Sequence, residues 1–157
     1  GACGLIDIYG RKGEIYGDVK ELNTFFAAIA DDILRSECKG AYGYGVYDNG
    51  FSEEEIKNLP DNECIFRGNL PEFYRYKDKS ISVKSSNGTM VSTFEKDGKP
   101  RWYAVNLSTV YKNTVELRLP EGEYEIFRKN EKINTNEKIT LTLDEGEGIY
   151  IRGTVKQ

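Results

Sequence analysis

From residue 64 onward, apolar and polar side chains alternate in short runs broken by turn-forming residues, the two-residue period of half-buried strands. The pattern predicts strands at 64–67, 73–76, 80–84, 90–95, 101–107, 114–119, 124–128, 138–143 and 148–152. Between several of them stand "SSNGT", "EKDGKP" and "LPEGE", with glycine placed for positive backbone angles. On this reading 113–127 is a hairpin with Glu116, Arg118 and Glu125 facing water. The core faces are Tyr103, Val105 and Leu107; Val115, Leu117 and Leu119; Ile139, Leu141 and Leu143; and Ile149 with Ile151. Many short strands at close spacing predict a mainly β fold, an antiparallel β-sandwich.

The first forty residues follow a different rhythm. Val19, Leu22, Phe26, Ile29 and Ile33 recur at steps of three and four, and Phe25 and Ala30 widen the stripe, so an amphipathic helix is expected to pack on the sandwich. Asp18 with Glu21 reads as a capping box and Gly40 as the stop. Ahead of the helix, "GLIDIYG" reads as a short strand and "GRKG" as a turn. The stretch "AYGYGVYDNGFSEEEIKNLPDNE" is rich in turn formers and predicts a connector with a strand at 44–47 and a helical turn at 52–58. The organisation is therefore a strand–loop–helix segment over 1–40, a connector over 41–63 and a β-sandwich over 64–157.

A length of 157 residues is enough for one domain that buries roughly 70% of its unfolded surface. No apolar run approaches the roughly 18 residues of a membrane span, so no membrane partner is expected. The opening residues show neither the basic leader nor the long apolar stretch of a secretion signal. Lysine and arginine number 22 against 26 acidic residues, a net charge of −4 that offers no general attraction to nucleic acid. Cys3, Cys38 and Cys64 are odd in number and widely spaced, which fits free thiols rather than a disulfide framework or a metal site. Histidine is absent, removing the commonest general base and the usual triads.

The stretch "GLIDIYGRKGEIYGDVKELNTFFAAIADDIL" resembles the last strand, loop and helix of the (β/α)8 barrel in clan-A-like glycoside hydrolases, notably β-galactosidase-like and related retaining enzymes. The residues carrying the resemblance are Gly4, Leu5, Asp7, Gly10, Gly13, Glu14, Tyr16, Val19, Lys20 and Asn23. The remainder is similar to the small β-sandwich that follows such barrels, with "RWYAVNLS" resembling one of its strands and "LTLDEGEGIYIRG" its final hairpin. What the resemblance implies is a noncatalytic C-terminal or accessory domain with a structural or assembly role and a catalytic barrel as partner. The barrel itself takes roughly 250 residues, and its paired carboxylates sit on strands with no counterpart here.

Glu53, Glu54 and Glu55 read as favourable charge at a helix start, and Asp7 and Glu14 lack a cleft, so no catalytic residue is assigned. "YGYGVYDNG" lacks the spacing of a phosphate loop, and "DNG" continues without the alternating oxygens of a calcium loop, so no cofactor or metal is expected. Aromatic planes can stack on sugar rings. Trp102, out of phase with Tyr103 and Val105, is expected to point away from the core, where it either covers the helix or joins Tyr74 and Tyr76 as a sugar-binding surface. A carbohydrate-binding module and a protein-interaction sandwich therefore stand as alternatives.

Overall fold

The computed structural model describes residues 5, 9–45 and 76–154. They form helix α1 (Tyr16–Leu34) and strands β1 (Glu37–Tyr44), β2 (Ser82–Ser85), β3 (Thr89–Lys96), β4 (Lys99–Asn106), β5 (Asn113–Arg128), β6 (Glu131–Leu143) and β7 (Gly148–Gly153). Every strand pair is antiparallel, in the order β1-β3-β4-β7-β5-β2, with β6 on the other side of β5. The mainly β, antiparallel class with a packed N-terminal helix is as the pattern predicts. Its layers are the walls of one curled sheet. The expected strands at 64–67 and most of 73–76, the helical turn at 52–58, Tyr74, Asp7 and Glu53–Glu55 lie outside the described residues.

The stretch 113–127 is not a hairpin. It is one sixteen-residue strand that changes partner midway: Val115–Arg118 pair with β2, and Tyr124–Arg128 pair with β7. Pairing with β6 continues along both halves but shifts register between Arg118 and Glu123. Pro120 falls in that bulge, where its missing N–H costs no ladder bond. The Tyr124 hydroxyl closes the bulge by donating to the Pro120 carbonyl at 2.7 Å. The real turn comes later, at Lys129, whose φ of 49° joins β5 to β6. Asp97 and Gly98, at φ 54° and 69°, make the corresponding tight turn between β3 and β4, as "EKDGKP" predicts.

The inside of the curl is filled by Val83, Val91, Trp102, Ala104, Val115, Leu117, Leu119, Ile126, Ile139, Leu143, Ile149 and Ile151. Thus the core faces assigned on β5, β6 and β7 are correct, whereas the phase of β4 is inverted. Trp102 and Ala104 point into the core, and Tyr103 points the other way, toward α1. Alternation alone could not settle the phase, because both parities of "RWYAVN" are largely apolar. What settles it is a buried polar partner: Trp102 Nε1 donates to Asp78 at 2.9 Å, and Asp78 also accepts from Thr93 and from the Ser80 amide and hydroxyl.

Two asparagines finish the ends of the curl. Asn113 is fully buried, accepts from the Asn87 amide and donates to Thr89 Oγ1, fastening the 86–88 loop to β5. Asn106 donates to the Tyr111 and Asp144 carbonyls, joining the β4–β5 loop to the turn after β6. On the opposite wall, β1 begins at Glu37 rather than at Tyr44, so the expected boundary near residue 40 falls inside a strand. Gly40 does not stop the helix; it stands beside the β1–β3 register shift. Gly45, at φ 76°, brings the end of β1 so close to the 85–87 segment that an added Cβ would lie 2.7 Å from the Asn87 carbonyl oxygen.

Three outcomes follow for urea unfolding. Trp102→Ala should cost about 3–5 kcal/mol. Trp102→Phe should cost less, about 1–3 kcal/mol from the loss of the Asp78 partner. Gly45→Ala should cost roughly 1–3 kcal/mol through backbone strain and the collision with Asn87. A Trp102→Ala protein as stable as the parent would show that the indole is not in the core.

Candidate functional site

The helix determines which surfaces are available. It starts at Tyr16 with Ile15 as N-cap and no side-chain cap, so the expected Asp18–Glu21 box does not form; Asp18 instead sits in the first turn, where its charge suits the helix dipole. At the other end, the Ser36 hydroxyl donates to the Asp32 carbonyl and its amide to that of Ile33, giving the last turn the partners expected of Gly40. The buried face is Phe25, Ile29 and Asp32, packed against Phe127 and Tyr150 of the sheet, with Ile33 and Tyr103 alongside. This face is rotated from the predicted stripe. Leu22 and Phe26 remain 52% and 44% exposed, and Ile15 at 48% extends the same apolar flank.

The rotation has a cause in charge. Asp32 lies on the inward face because the sheet supplies partners for a carboxylate there. Arg101 Nε donates to it at 2.7 Å, Lys96 Nζ at 2.9 Å and the Tyr150 hydroxyl at 2.8 Å. Burial on its own would raise the Asp32 pKa; the bonds from Arg101, Lys96 and Tyr150 outweigh it and hold the carboxyl well below its ordinary 3.8. The Arg101 guanidinium is itself anchored through Nη1 to the carbonyls of Lys96 and Lys99. Arg152 lies 3.7 Å from Asp32 and is shared with Glu125, which also accepts from Lys132. Glu125 is therefore a half-buried ion-pair partner rather than a freely solvated residue.

A second concave surface opens where the N-terminal half of α1 passes the turn between β6 and β7. The groove holds about 370 Å³. Leu22, Phe25 and Tyr103 supply apolar surface, and Asp18, Glu21, Glu145 and Glu147 supply carboxylates. Glu147 is engaged bidentately by Arg128 at 2.7 and 2.8 Å, and Asp144 by Lys129 and Lys112 at 2.7 and 2.9 Å. Those cations hold Asp144 at about 2, and Arg128 keeps Glu147 low against the opposing effect of burial. Carboxylates held this low are poor proton donors at neutral pH, where a general acid needs a raised pKa. Among the described residues, no group of three or more acidic or cysteine side chains is placed to hold a metal ion.

The predicted sugar platform does not assemble around Trp102. The indole is 1% exposed, edge-on to Tyr124, and has no open face. Tyr76 is 40% exposed, and Tyr74 lies outside the described residues. Sequence reasoning missed Asp32, Arg101 and Tyr150 as a unit. A lone aspartate in the apolar stripe of a helix was the available signal, but its partners are 64 to 118 residues away.

Removing Asp32 should loosen the helix from the sheet. Asp32→Ala strands Arg101 without its buried partner and should cost about 3–5 kcal/mol in urea unfolding at pH 7. Because the folded pKa lies below the unfolded one, the stabilisation is complete above the ordinary value of 3.8 and drains away as pH falls from there toward the folded pKa. Asp32→Asn should therefore flatten the loss of stability below about pH 4; an unchanged acid slope would show that the carboxylate does not hold the helix. Comparison of the chain with protein-family models, with curated proteins and with solved structures finds no match.

Proposed function

We propose that the chain is a noncatalytic accessory domain, resembling the β-rich domain that follows the catalytic barrel of glycoside hydrolases, and that it serves assembly by docking α1 against a neighbouring barrel. The observation that carries this reading is the width of the apolar stripe on α1. The sheet covers one edge, Phe25 and Ile29, while Ile15, Leu22 and Phe26 stay open on the other. Full burial of a side chain of this kind is worth about 1.5–3 kcal/mol, so covering three half-exposed ones is a substantial driving force. The resemblance of 4–34 to a barrel's final strand, loop and helix makes a barrel the natural body to cover them.

The electrostatics fit a noncatalytic role. Asp32, Asp144 and Glu147 are tied to cations that lower their pKa values, and none is tuned for proton transfer near neutrality.

Adjacent phenylalanines provide one test. Phe25→Ala should cost about 3–5 kcal/mol, as a core truncation does. Phe26→Ser should cost no more than about 1.5 kcal/mol, the scale of its edge contact with Phe25. A photo-crosslinker at Leu22 should capture a barrel domain in the producing cells. The purified chain should also leave a panel of aryl glycosides unhydrolysed. Turnover abolished by one carboxylate substitution would overturn the proposal, as would crosslinks confined to a second copy of the chain.

A further inference from the structure

The groove beside α1 carries a charge imbalance that its own residues do not settle. Lys112, Lys129 and Arg128, the cations nearby, are already engaged by Asp144 and Glu147. Asp18, Glu21 and Glu145, on the two sides of the groove, have no ion pair among the described residues. Their charges surround apolar surface from Leu22, Phe25 and Tyr103. The floor depends on Gly148: a Cβ there would collide with the Tyr103 phenol. The Tyr103 hydroxyl has no hydrogen-bond partner among the described residues, leaving it available to a visitor.

We infer that this groove docks a partner segment in which a lysine or arginine stands beside an apolar side chain. Charge complementarity selects that occupant. A cation entering between Asp18, Glu21 and Glu145 meets carboxylates with no ion pair among the described residues, Lys112 acting on Glu145 only at longer range, and its methylene stem lies along Leu22 and the Tyr103 ring. The half-buried Tyr103 ring adds the attraction of a π surface for an ammonium or guanidinium. An acidic segment or a phosphate meets repulsion from the same groups. With about 370 Å³, the groove takes one long side chain and part of its neighbour rather than a helix. Leu22 lines both the groove and the open flank, so the inference rests on the docking role proposed above and adds the partner's chemistry.

The test uses the whole chain and three labelled twelve-residue peptides that share their apolar residues and differ only in carrying lysine and arginine, glutamine, or glutamate. Anisotropy at low salt should show the basic peptide binding at least tenfold more tightly than the glutamine peptide, with the advantage shrinking in 0.5 M salt as screening sets in. The variant Asp18→Asn/Glu21→Gln/Glu145→Gln should lose that advantage while still unfolding in one cooperative transition, destabilised by no more than the Asp18 charge contributes at the helix start. Glu116→Gln, exposed on β5 beside β2 and away from the groove, serves as the control and should keep it. Equal binding of the three peptides, no binding of the basic one at millimolar concentration, or an unaffected triple variant overturns the inference. So does sedimentation showing that a second copy of the chain occupies the groove. Failure on these counts, with Leu22 still crosslinking to a barrel, removes the basic partner and leaves the docking role standing.

Discussion

The fold depends on a single strand belonging to two walls. β5 lies against β2 over its first half and against β7 over its second, with β6 following it along both. A flat strand could not do this, since continuing straight would leave β7 with β4 as its sole neighbour among the described strands. The bulge at 119–122 provides the bend, and proline and glycine suit it because that stretch makes no ladder pairs with β6. Once β5 has turned, the inward side chains of β2, β4, β6 and β7 converge on one space, and Trp102 fills its middle. The curl leaves an outer face on β4, β5 and β7, which the helix partly covers.

That covering explains why "GIYIRG" buries three apolar residues in succession. Ile149 and Ile151 point into the curl and Tyr150 points to the helix, so both faces of β7 are occupied. Such a strand cannot show alternation. The helix is fixed in rotation by Asp32 as much as by its apolar residues, because only one orientation brings the carboxylate to Arg101, Lys96 and Tyr150. Turning α1 to bury Leu22 and Phe26 more deeply would pull Asp32 away from all three and leave Arg101 buried without its counter-charge. The open flank is thus a consequence of how the inner face is held.

Much of this was legible from residue pattern, and the failures have physical reasons. Alternation located β3, β4, β6 and β7 to within a few residues apart from an early start to β6, and it chose the correct faces of β5, β6 and β7. It failed on β4, where both parities carry apolar or aromatic groups and the choice is made by Asp78, a residue 24 positions away. It also failed on "LPEGE", whose residues suit a turn and a bulge equally well; the difference lies in whether β2 and β7 are there to receive the two halves. Gly40 was misassigned for a similar reason, since a glycine after a helix serves as a stop or as a strand irregularity according to where the next strand pairs. The Asp32 cluster could not be read in advance, because its members come from α1, β3, β4 and β7.

The position of β7 has an implication for how the molecule comes into being. Though last among these strands along the chain, it lies between β4 and β5, and its pairing joins the β1-β3-β4 wall to the β5-β6-β2 wall. During synthesis the two walls can form as separate ribbons, each with an oily side bare, until residues 148–153 leave the ribosome and are inserted between them. Closure by so distant a segment makes for slow folding, and the waiting ribbons are the species from which aggregation would start.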